Sequence, residues 1–521
     1  MARRLGVLVA FLGLMAGTAF AADDARSVLQ AAAKAMGATN LKTIAYSGTG
    51  FVAAVGQSYS LTDDWPRFEV TTYTKTIDYD AKSSREEYTR RQGNYPPRGG
   101  GFTPLIGEDH VLGLLSGNFA WNMQGEKAVP QPGLYLAGMP FVDLRQLDIM
   151  LTPHGFLKAA MAGNATAVTQ PLVGHSNEGL SGDGRKVTIV SFNALGKYKV
   201  NGTINDENLV ELVATWIPNP VYGDMLYEWR YTEYKDFGGI KFPAVVHVHQ
   251  GDPVLNPAHN IMEIKVNNVQ TNMNVPATTV PDVVKQATAP PERVESQKLA
   301  EGVWFLGGGS HNSLAVEFRD YVAVVEAPLN EARSLAVIDE VHKLVPNKQI
   351  QYVVNTHHHF DHSGGLRTYL SQGTTVVTSQ QNRDYYLQIL FHPGGWSLQP
   401  DRLAAYYPMF MVSRRPVPIE TVNQQYALSD GVRTLDVYPV QGLAHVQGML
   451  MAYLPKEKIL VNADLYTPPA PGTPPPSGPN ANMTTLYQNM QRLKLDVAQH
   501  VPIHGRPGGN DEFLKIVGKP K

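Results

Sequence analysis

The sequence predicts a mixed α/β protein in two parts, a mainly antiparallel β-rich (α+β) domain followed by a layered α/β domain. Three observations predict it. Several stretches between residues 42 and 249 alternate at a period of two and are rich in Tyr, Thr, Val and Ile, with Gly, Asn and Asp between most of them. A segment from Pro276 to Glu295 then gathers Pro276, Pro281, Pro290 and Pro291 among Thr, Val, Ala and Lys, which is linker composition. Beyond it, short apolar runs alternate with helical periodicity, as layered α/β folds require. A chain of 521 residues exceeds one ordinary domain, and 43% hydrophobic with 17% charged residues lets it bury a sizeable core.

Charge and cysteine usage narrow the function classes. Lys plus Arg total 44 against 46 Asp plus Glu, so no global field favours nucleic acid or an anionic membrane. The chain has no cysteine, which excludes disulfides, thiolate ligands, a catalytic thiol and lipid attachment through Cys. Residues 1–21 carry Arg3 and Arg4, an apolar run from Leu5 to Ala16 and Ala19-Phe20-Ala21 before Ala22-Asp23-Asp24, the pattern of a signal peptide cleaved after Ala21. The apolar run falls short of the roughly 20 residues that span a bilayer. The predicted location is therefore the periplasm or the outside, by the general or the twin-arginine route, with no integral membrane segment after removal of the signal.

The β-rich domain is expected over residues 22–284. A helix from Ala25 to Ala38 opens it, with Val28, Leu29, Ala32, Ala33 and Met36 at helical spacing. Strands are predicted from Lys42 to Phe51, Arg67 to Tyr79, Lys186 to Phe192, Tyr198 to Ile204, Leu209 to Ile217, Tyr227 to Tyr234 and Phe242 to His249. A helical interlude from Val142 to Ala162 is broken at Pro153-His154-Gly155. His247 and His249 share one strand face with no Asp-His after them, so they read as structural. Arg85, Arg90, Arg91 and Arg98, among Tyr88 and Tyr95, read as a solvated loop before an anion site.

After a linker at 285–295, the α/β domain occupies 296–521. Strands are expected at Gly302–Leu306, Ser313–Phe318 and Tyr321–Glu326, a helix at Asn330–Leu344, and a strand centred on Tyr352-Val353-Val354. Gly307-Gly308-Gly309 lies between two strands, so it is a turn and not a phosphate cradle, which needs a following helix. The strand at 351–355 ends on Thr356-His357-His358-His359-Phe360-Asp361-His362-Ser363-Gly364-Gly365. His357, His359, Asp361 and His362 are the imidazole and carboxylate donors that hold zinc and its neighbours. Further His and Asp residues follow at sheet-edge positions: His445 in Gly442-Leu443-Ala444-His445-Val446-Gln447-Gly448, Asp464 after a strand pair at 449–454 and 458–463, and His504 after a helix at Met483–Leu495 and a strand.

The His-x-His-x-Asp-His stretch and its downstream partners resemble the metallo-β-lactamase-fold superfamily. The resemblance implies an αββα C-terminal domain with two divalent metal ions, zinc first, with iron or manganese accepted by the same donors. It assigns His357, His359 and His445 to one metal and Asp361, His362 and His504 to the other, with Asp464 as the bridge and His358 as the variable position. Asp361 and Asp464 are the implied catalytic residues, serving a metal-bridging hydroxide. Glu326 stands where the family usually places an acid that supports the ligands. Asp464 sets the chain apart from common β-lactamases, which carry Cys or Ser there, and aligns it with glyoxalase, lactonase and phosphodiesterase branches.

The expected function is exported, metal-dependent hydrolysis of a small molecule, an ester, lactone or related carbonyl compound of moderate hydrophobicity. Phosphodiester, sulfate-ester or β-lactam hydrolysis on the same fold is the alternative, with Arg383, Arg414, Arg415 and Arg506 as candidate anion clamps. A further alternative is an envelope ligand-binding protein with an accessory metal domain. Tyr385, Tyr386, Phe391, Trp396, Tyr406, Tyr407, Met409, Phe410 and Met411 offer either an apolar substrate wall or helix core, and residues 467–482 are expected to form a second loop over the cleft. No motif assigns a role to His110, His154, His175, His259, His311, His342, His392 or His500. Gly-x-Ser-x-Gly is absent, which leaves serine-nucleophile chemistry unsupported.

Overall fold

A computed structural model describes residues 22–23, 25–171, 184–252, 256–390, 395–405 and 418–518. The signal segment, Phe391, His392, His175, Tyr406, Tyr407, Met409, Phe410, Met411, Arg414 and Arg415 lie outside the described residues. Among the described residues no helix is long and apolar enough to cross a membrane.

The first part is built on a 14-stranded sheet in which each strand pairs antiparallel with its neighbours. Thr43–Ala53 pairs with Arg67–Asp78 on one side and with the distant Asn256–Thr271 on the other, which ties the two ends of this region together. The helices Phe141–Leu151 and Pro153–Ala162 pack on the sheet. Thr152 caps the second by accepting from Gly155 N, and Pro153 takes the first helical position, where its missing N–H costs nothing. Gly202 lies under the Phe156 ring, where a Cβ would come within 2.1 Å of it, so strand and helix approach only because that residue has no side chain. Tyrosines of the sheet reach the first helix, Tyr227 donating to Asp148 at 2.7 Å and Tyr231 to the Leu151 carbonyl.

Arg85, Arg90 and Arg91 do not lie in a loop. They belong to the strand Ser83–Arg91 and pair with Glu87, Asp109 and Glu69, two of them across to neighbouring strands. Arg98, which does lie in a loop, pairs with Asp63 and stacks on Tyr59. Cross-strand ion pairs on a solvated sheet face replace the apolar alternation that would have announced the strand.

The second part has two facing sheets. One has 7 strands from Glu295–Ala300 to Ile419–Val422, and its Val322–Val325, Ile350–Val354, Thr375–Ser379 and Ile419–Val422 run parallel. The other has 6 strands from Tyr426–Ser429 to Gly508–Gly509. Strand Val322–Val325 shows the layering: Val322 and Val324 pack toward Val337, Ile338 and Val341 of the helix Glu331–Leu344, while Ala323 and Val325 enter the core shared with Leu450, Ala452 and Val461 of the second sheet. Met483, Leu486 and Phe513 of the helices Ala481–Leu493 and Asn510–Ile516 close that core from beyond the second sheet. Burial on both faces explains why these strands read as continuous apolar runs.

The two parts share one continuous core at the end of the His-rich stretch. Phe360 packs against Trp65 and Tyr222 of the first part, at ring separations of 5.9 and 4.8 Å. Further along the contact, Asp224 accepts from the Ser397 N–H and hydroxyl at 2.8 and 2.6 Å.

Candidate metal centre

Strand direction decides where the donors go. Val322–Val325 and Ile350–Val354 are parallel, so Glu326 and the residues after Val354 emerge at one edge. Leu314 pairs with Val325 in the antiparallel neighbour, which places the hairpin loop containing His311 at the same edge. In the second sheet Ile459–Ala463 and Gln499–Pro502 are parallel and end together, delivering Asp464 and His504, while the loop before Leu450–Leu454 delivers His445. Asp361 and His362 stand on the single helical turn Phe360–Ser363. Ala463 and Glu326, at φ 48° and 81°, are non-glycine residues in the left-handed region, local strain at the points where the backbone turns into the site.

All residues that the resemblance assigned converge here, in two quartets of donor atoms within 4.8 Å of one another. His357, His359, His445 and Asp464 form one, and His311, Asp361, His362 and His504 the other. Asp464 joins them: Oδ2 lies 3.1 Å from His445 Nε2 and 3.2 Å from His362 Nε2, and Oδ1 lies 3.4 Å from His504 Nε2. In the first quartet His357 Nε2 is 3.0 Å from His359 Nδ1. In the second, His311 Nε2 and His362 Nε2 are 3.1 and 3.6 Å from Asp361 Oδ2.

Outer contacts aim the rings. Glu326 is fully buried and accepts from Thr356 Oγ1 at 2.5 Å and from His362 Nδ1 at 3.0 Å, so His362 turns Nε2 into the site. Because the Thr356 hydroxyl proton goes to Glu326, its oxygen accepts from His357 Nδ1 at 3.0 Å, which frees the His357 Nε2 lone pair. His358 points the other way, to the Ser58 hydroxyl at 3.3 Å. Along the motif, donors face inward and His358 and Phe360 face the first domain.

The electrostatics match a cation site. Burial, reinforced by neighbouring imidazoles, holds His357 and His359 well below the usual histidine range, so both are neutral donors. Burial raises the carboxyls of Asp361 and Asp464, but the imidazoles around them outweigh it and leave both ionised far below the usual range. For His362 burial acts downward, and Asp464, Asp361 and Glu326 overcome it to raise the ring well above its usual value. The residues fit a metal on a further count: His362 Nε2, His445 Nε2 and Asp464 Oδ1 are buried without a hydrogen-bond partner, which polar groups rarely tolerate unless something else binds them.

His311 departs from its reading as a residue without a role. The sequence signal that was present is positional: a His in the turn after Gly307-Gly308-Gly309, between two strands that end at the ligand edge. His500, in contrast, is packed among Tyr466, Phe513 and Asn510, and His154 hydrogen-bonds the Met36 carbonyl. Of the aromatic insertion, Tyr386 is buried with its hydroxyl on Asn355, Tyr385 packs on His358 and Tyr222, and Trp396 lies under Arg367. These are core and interdomain contacts rather than an open wall. The wall beside His445 is a cleft of about 530 Å³ between the domains, lined by Tyr59, Arg98, Gln380, Gln381, Gln441 and Gln447 among others. Residues 467–482 lean on the His504 edge, where Pro469 accepts from Arg506 at 2.9 Å.

Residues 306–499 match the family model of the metallo-beta-lactamase superfamily. The C-terminal domain is metallo-β-lactamase-like. Solved structures similar to the chain include a metallo-β-lactamase from Pontibacter korlensis, 18% identical with a TM-score of 0.31, the match covering 42% of this chain and 95% of that one. Another is a metallo-β-lactamase from Hirschia baltica, 20% identical with a TM-score of 0.30, covering 44% and 99%. A third is a metallo-β-lactamase from Pseudomonas aeruginosa in a mono-zinc form, 19% identical with a TM-score of 0.30, covering 43% and 93%. Comparison with curated protein sequences gives no match. Within the metallo-β-lactamase-like domain, the donor quartets could hold metal.

Proposed function

We propose that the protein is an exported, dinuclear metal-dependent hydrolase acting on an ester, lactone or related carbonyl compound. The observation that carries the reading is the pair of His/Asp quartets joined by Asp464, with three buried donor atoms left without hydrogen bonds. His357, His359 and His445 would hold one cation, and Asp361, His362 and His504 with His311 the other. Two divalent cations held there, zinc first, would supply the acidification of water toward neutral pH and the polarisation of the electrophile. Export is supported by Arg3-Arg4, the apolar run and Ala19-Phe20-Ala21.

The chain's own residues divide the remaining work. Asp464 sets Oδ2 between His445 and His362 and Oδ1 toward His504, so its carboxylate spans both quartets, and Asp361 Oδ2 would orient the attacking hydroxide. His357, His359 and His362 are sealed, whereas the side chains of Asp361 and His504 are 32% and 34% exposed, so substrate enters on their side. A tetrahedral-anion substrate calls for a free cationic clamp, but Arg383 pairs with Asp384 and Arg506 with Glu512, both at close range. The other two candidate clamps, Arg414 and Arg415, lie outside the described residues. The amide-lined cleft beside His445 favours a substrate with a hydrogen-bonding arm over a wholly apolar one.

Metal analysis of the mature protein, joined to a panel of chromogenic esters, lactones, β-lactams and phosphodiesters, tests the proposal. The expected result is two metal equivalents and chelator-sensitive turnover of esters or lactones. Turnover confined to phosphodiesters or β-lactams would move the assignment to that chemistry, and full activity in a metal-free preparation would end it.

A further inference from the structure

The N-terminal domain touches the ligands themselves. The loop after the strand Thr43–Ala53 reaches across the interface, where Gly56 O accepts from Phe360 N at 3.2 Å and Tyr59 O accepts from Gln447 N at 2.7 Å. Between these two anchors, Gln57 Nε2 donates to Asp361 Oδ1 at 2.8 Å, and the Ser58 carbonyl lies 3.0 Å from His359 Nε2. Each contact has a directional consequence. With Oδ1 of Asp361 engaged by the amide, Oδ2 is the oxygen turned to His311 and His362. A carbonyl can only accept, so His359 carries its proton on Nε2 and presents the Nδ1 lone pair to His357 and the first quartet.

A second loop of the same domain holds this arrangement closed. Gly99 N donates to the Ala444 carbonyl beside His445, and Gly100 N donates to the Gln57 carbonyl, both at 2.9 Å. A Cβ on Gly100 would stand 2.1 Å from Gln57 Oε1 and 2.8 Å from His359 Cε1. Any side chain there displaces the amide, the ring or both.

We propose that the N-terminal domain is a working part of the metal centre, with Gln57 the positioning residue that orients Asp361 and the Ser58 carbonyl fixing the His359 tautomer. This rests on the metal-hydrolase reading and extends it, because the second cation's affinity becomes a property of the interface between the domains. Partners that orient ligands from outside the coordination sphere typically change metal affinity by about 10–100-fold.

The test uses the full chain. Gln57→Met keeps the length of the side chain and removes the donor, Gly100→Ala adds the obstructing methyl, and Asp224→Ala, as a control, removes the interdomain hydrogen bonds to Ser397 and Leu398, none of which involves a ligand. Zinc is titrated against a competing chelator, and the visible spectrum of the cobalt-substituted protein reports the geometry of each site. The expected result is that Gln57→Met and Gly100→Ala bind the second equivalent about 10–100-fold more weakly with altered cobalt bands, while Asp224→Ala matches wild type and circular dichroism is unchanged in all. Wild-type affinity and spectra in both loop variants would overturn the role of Gln57 and leave the hydrolase reading standing. Equal losses in Asp224→Ala would overturn it in favour of interface integrity alone. A wild-type protein that takes up no metal would overturn both readings together.

Discussion

The chain carries His-x-His twice, at His247 and His249 and again at His357 and His359, and the two pairs live in different surroundings. The first lies on the strand Lys241–Asp252, where period-two alternation puts both rings on one face and brings their Nε2 atoms within 3.2 Å. Close partners come from the two adjacent strands: Asn260 lies 2.7 Å from His247, Glu228 lies 3.7 Å from His249, and Arg230 holds that same Glu228 at 2.5 Å. A guanidinium already occupies the place of the counter-cation. The second pair lies in a loop at the edge where two sheets end, and separate loops bring His311, His445, Asp464 and His504 to it. The spacing is the same in both, and two rings are all that spacing supplies. The difference lies in how many independent chain segments converge, and in whether the carboxylates that arrive are already spent on an arginine.

The sharpest way to break this comparison is to remove the convergence point. Asp464→Ala is expected to lose the second metal equivalent and about 10³-fold in turnover, roughly 4 kcal/mol of barrier, while circular dichroism and the melting curve show an intact fold. Metal analysis and kinetics on the same preparation check it. Retention of both metals and full turnover would show that Asp464 joins nothing.

His311→Ala asks whether a residue outside the recognisable motif belongs to the second quartet. Its Nε2 faces Asp361 and its ring centroid lies 4.2 Å from that of His504. The expected result is a second metal bound about 10–100-fold more weakly, with the first unaffected. Chelator competition measures it, and an unchanged second equivalent would return His311 to a purely structural place.

How much of this was legible in the sequence follows from what each part had to satisfy. The ligands were legible because a metal restricts donor types, and His, Asp and Gly recur at strand ends in a fixed order. The inner strands were legible because both their faces are buried, so Val322–Val325 and Ile459–Ala463 contain almost nothing but apolar residues. Ser83–Arg91 was hidden because its outward positions hold charges that pair across strands. Gln57 and Ser58 left no trace at all. An amide and a main-chain carbonyl in a polar loop have no compositional signature, and their partners lie about 300 residues away in the chain.

Buried histidines that hold no metal sharpen the comparison through pH. Burial pushes His154, in the first domain, and His500, in the second, down to about 4 from an ordinary value near 6.5. The folded state therefore resists protonating them. Their contribution to stability is complete above about pH 6.5 and is lost as pH falls through about 4. Between pH 6.5 and pH 5 each is expected to cost about 2 kcal/mol. Urea unfolding of wild type and His154→Gln at both pH values measures this. The variant should show a shallower loss on acidification, and equal slopes would show that His154 titrates normally in the fold.

The smallest expected effect is the most direct test of the comparison. The double replacement His247→Ala/His249→Ala removes one His-x-His completely, and metal content and turnover are expected to stay within about twofold of wild type. Stability should still fall, because His249 is fully buried and its loss leaves a cavity beside Glu228 and Asn260. The two readouts separate the possibilities: a lower melting temperature with unchanged zinc is what a packed strand pair produces. Loss of a zinc equivalent from a folded double variant would mean that two histidines on one strand recruit a metal without any converging loop.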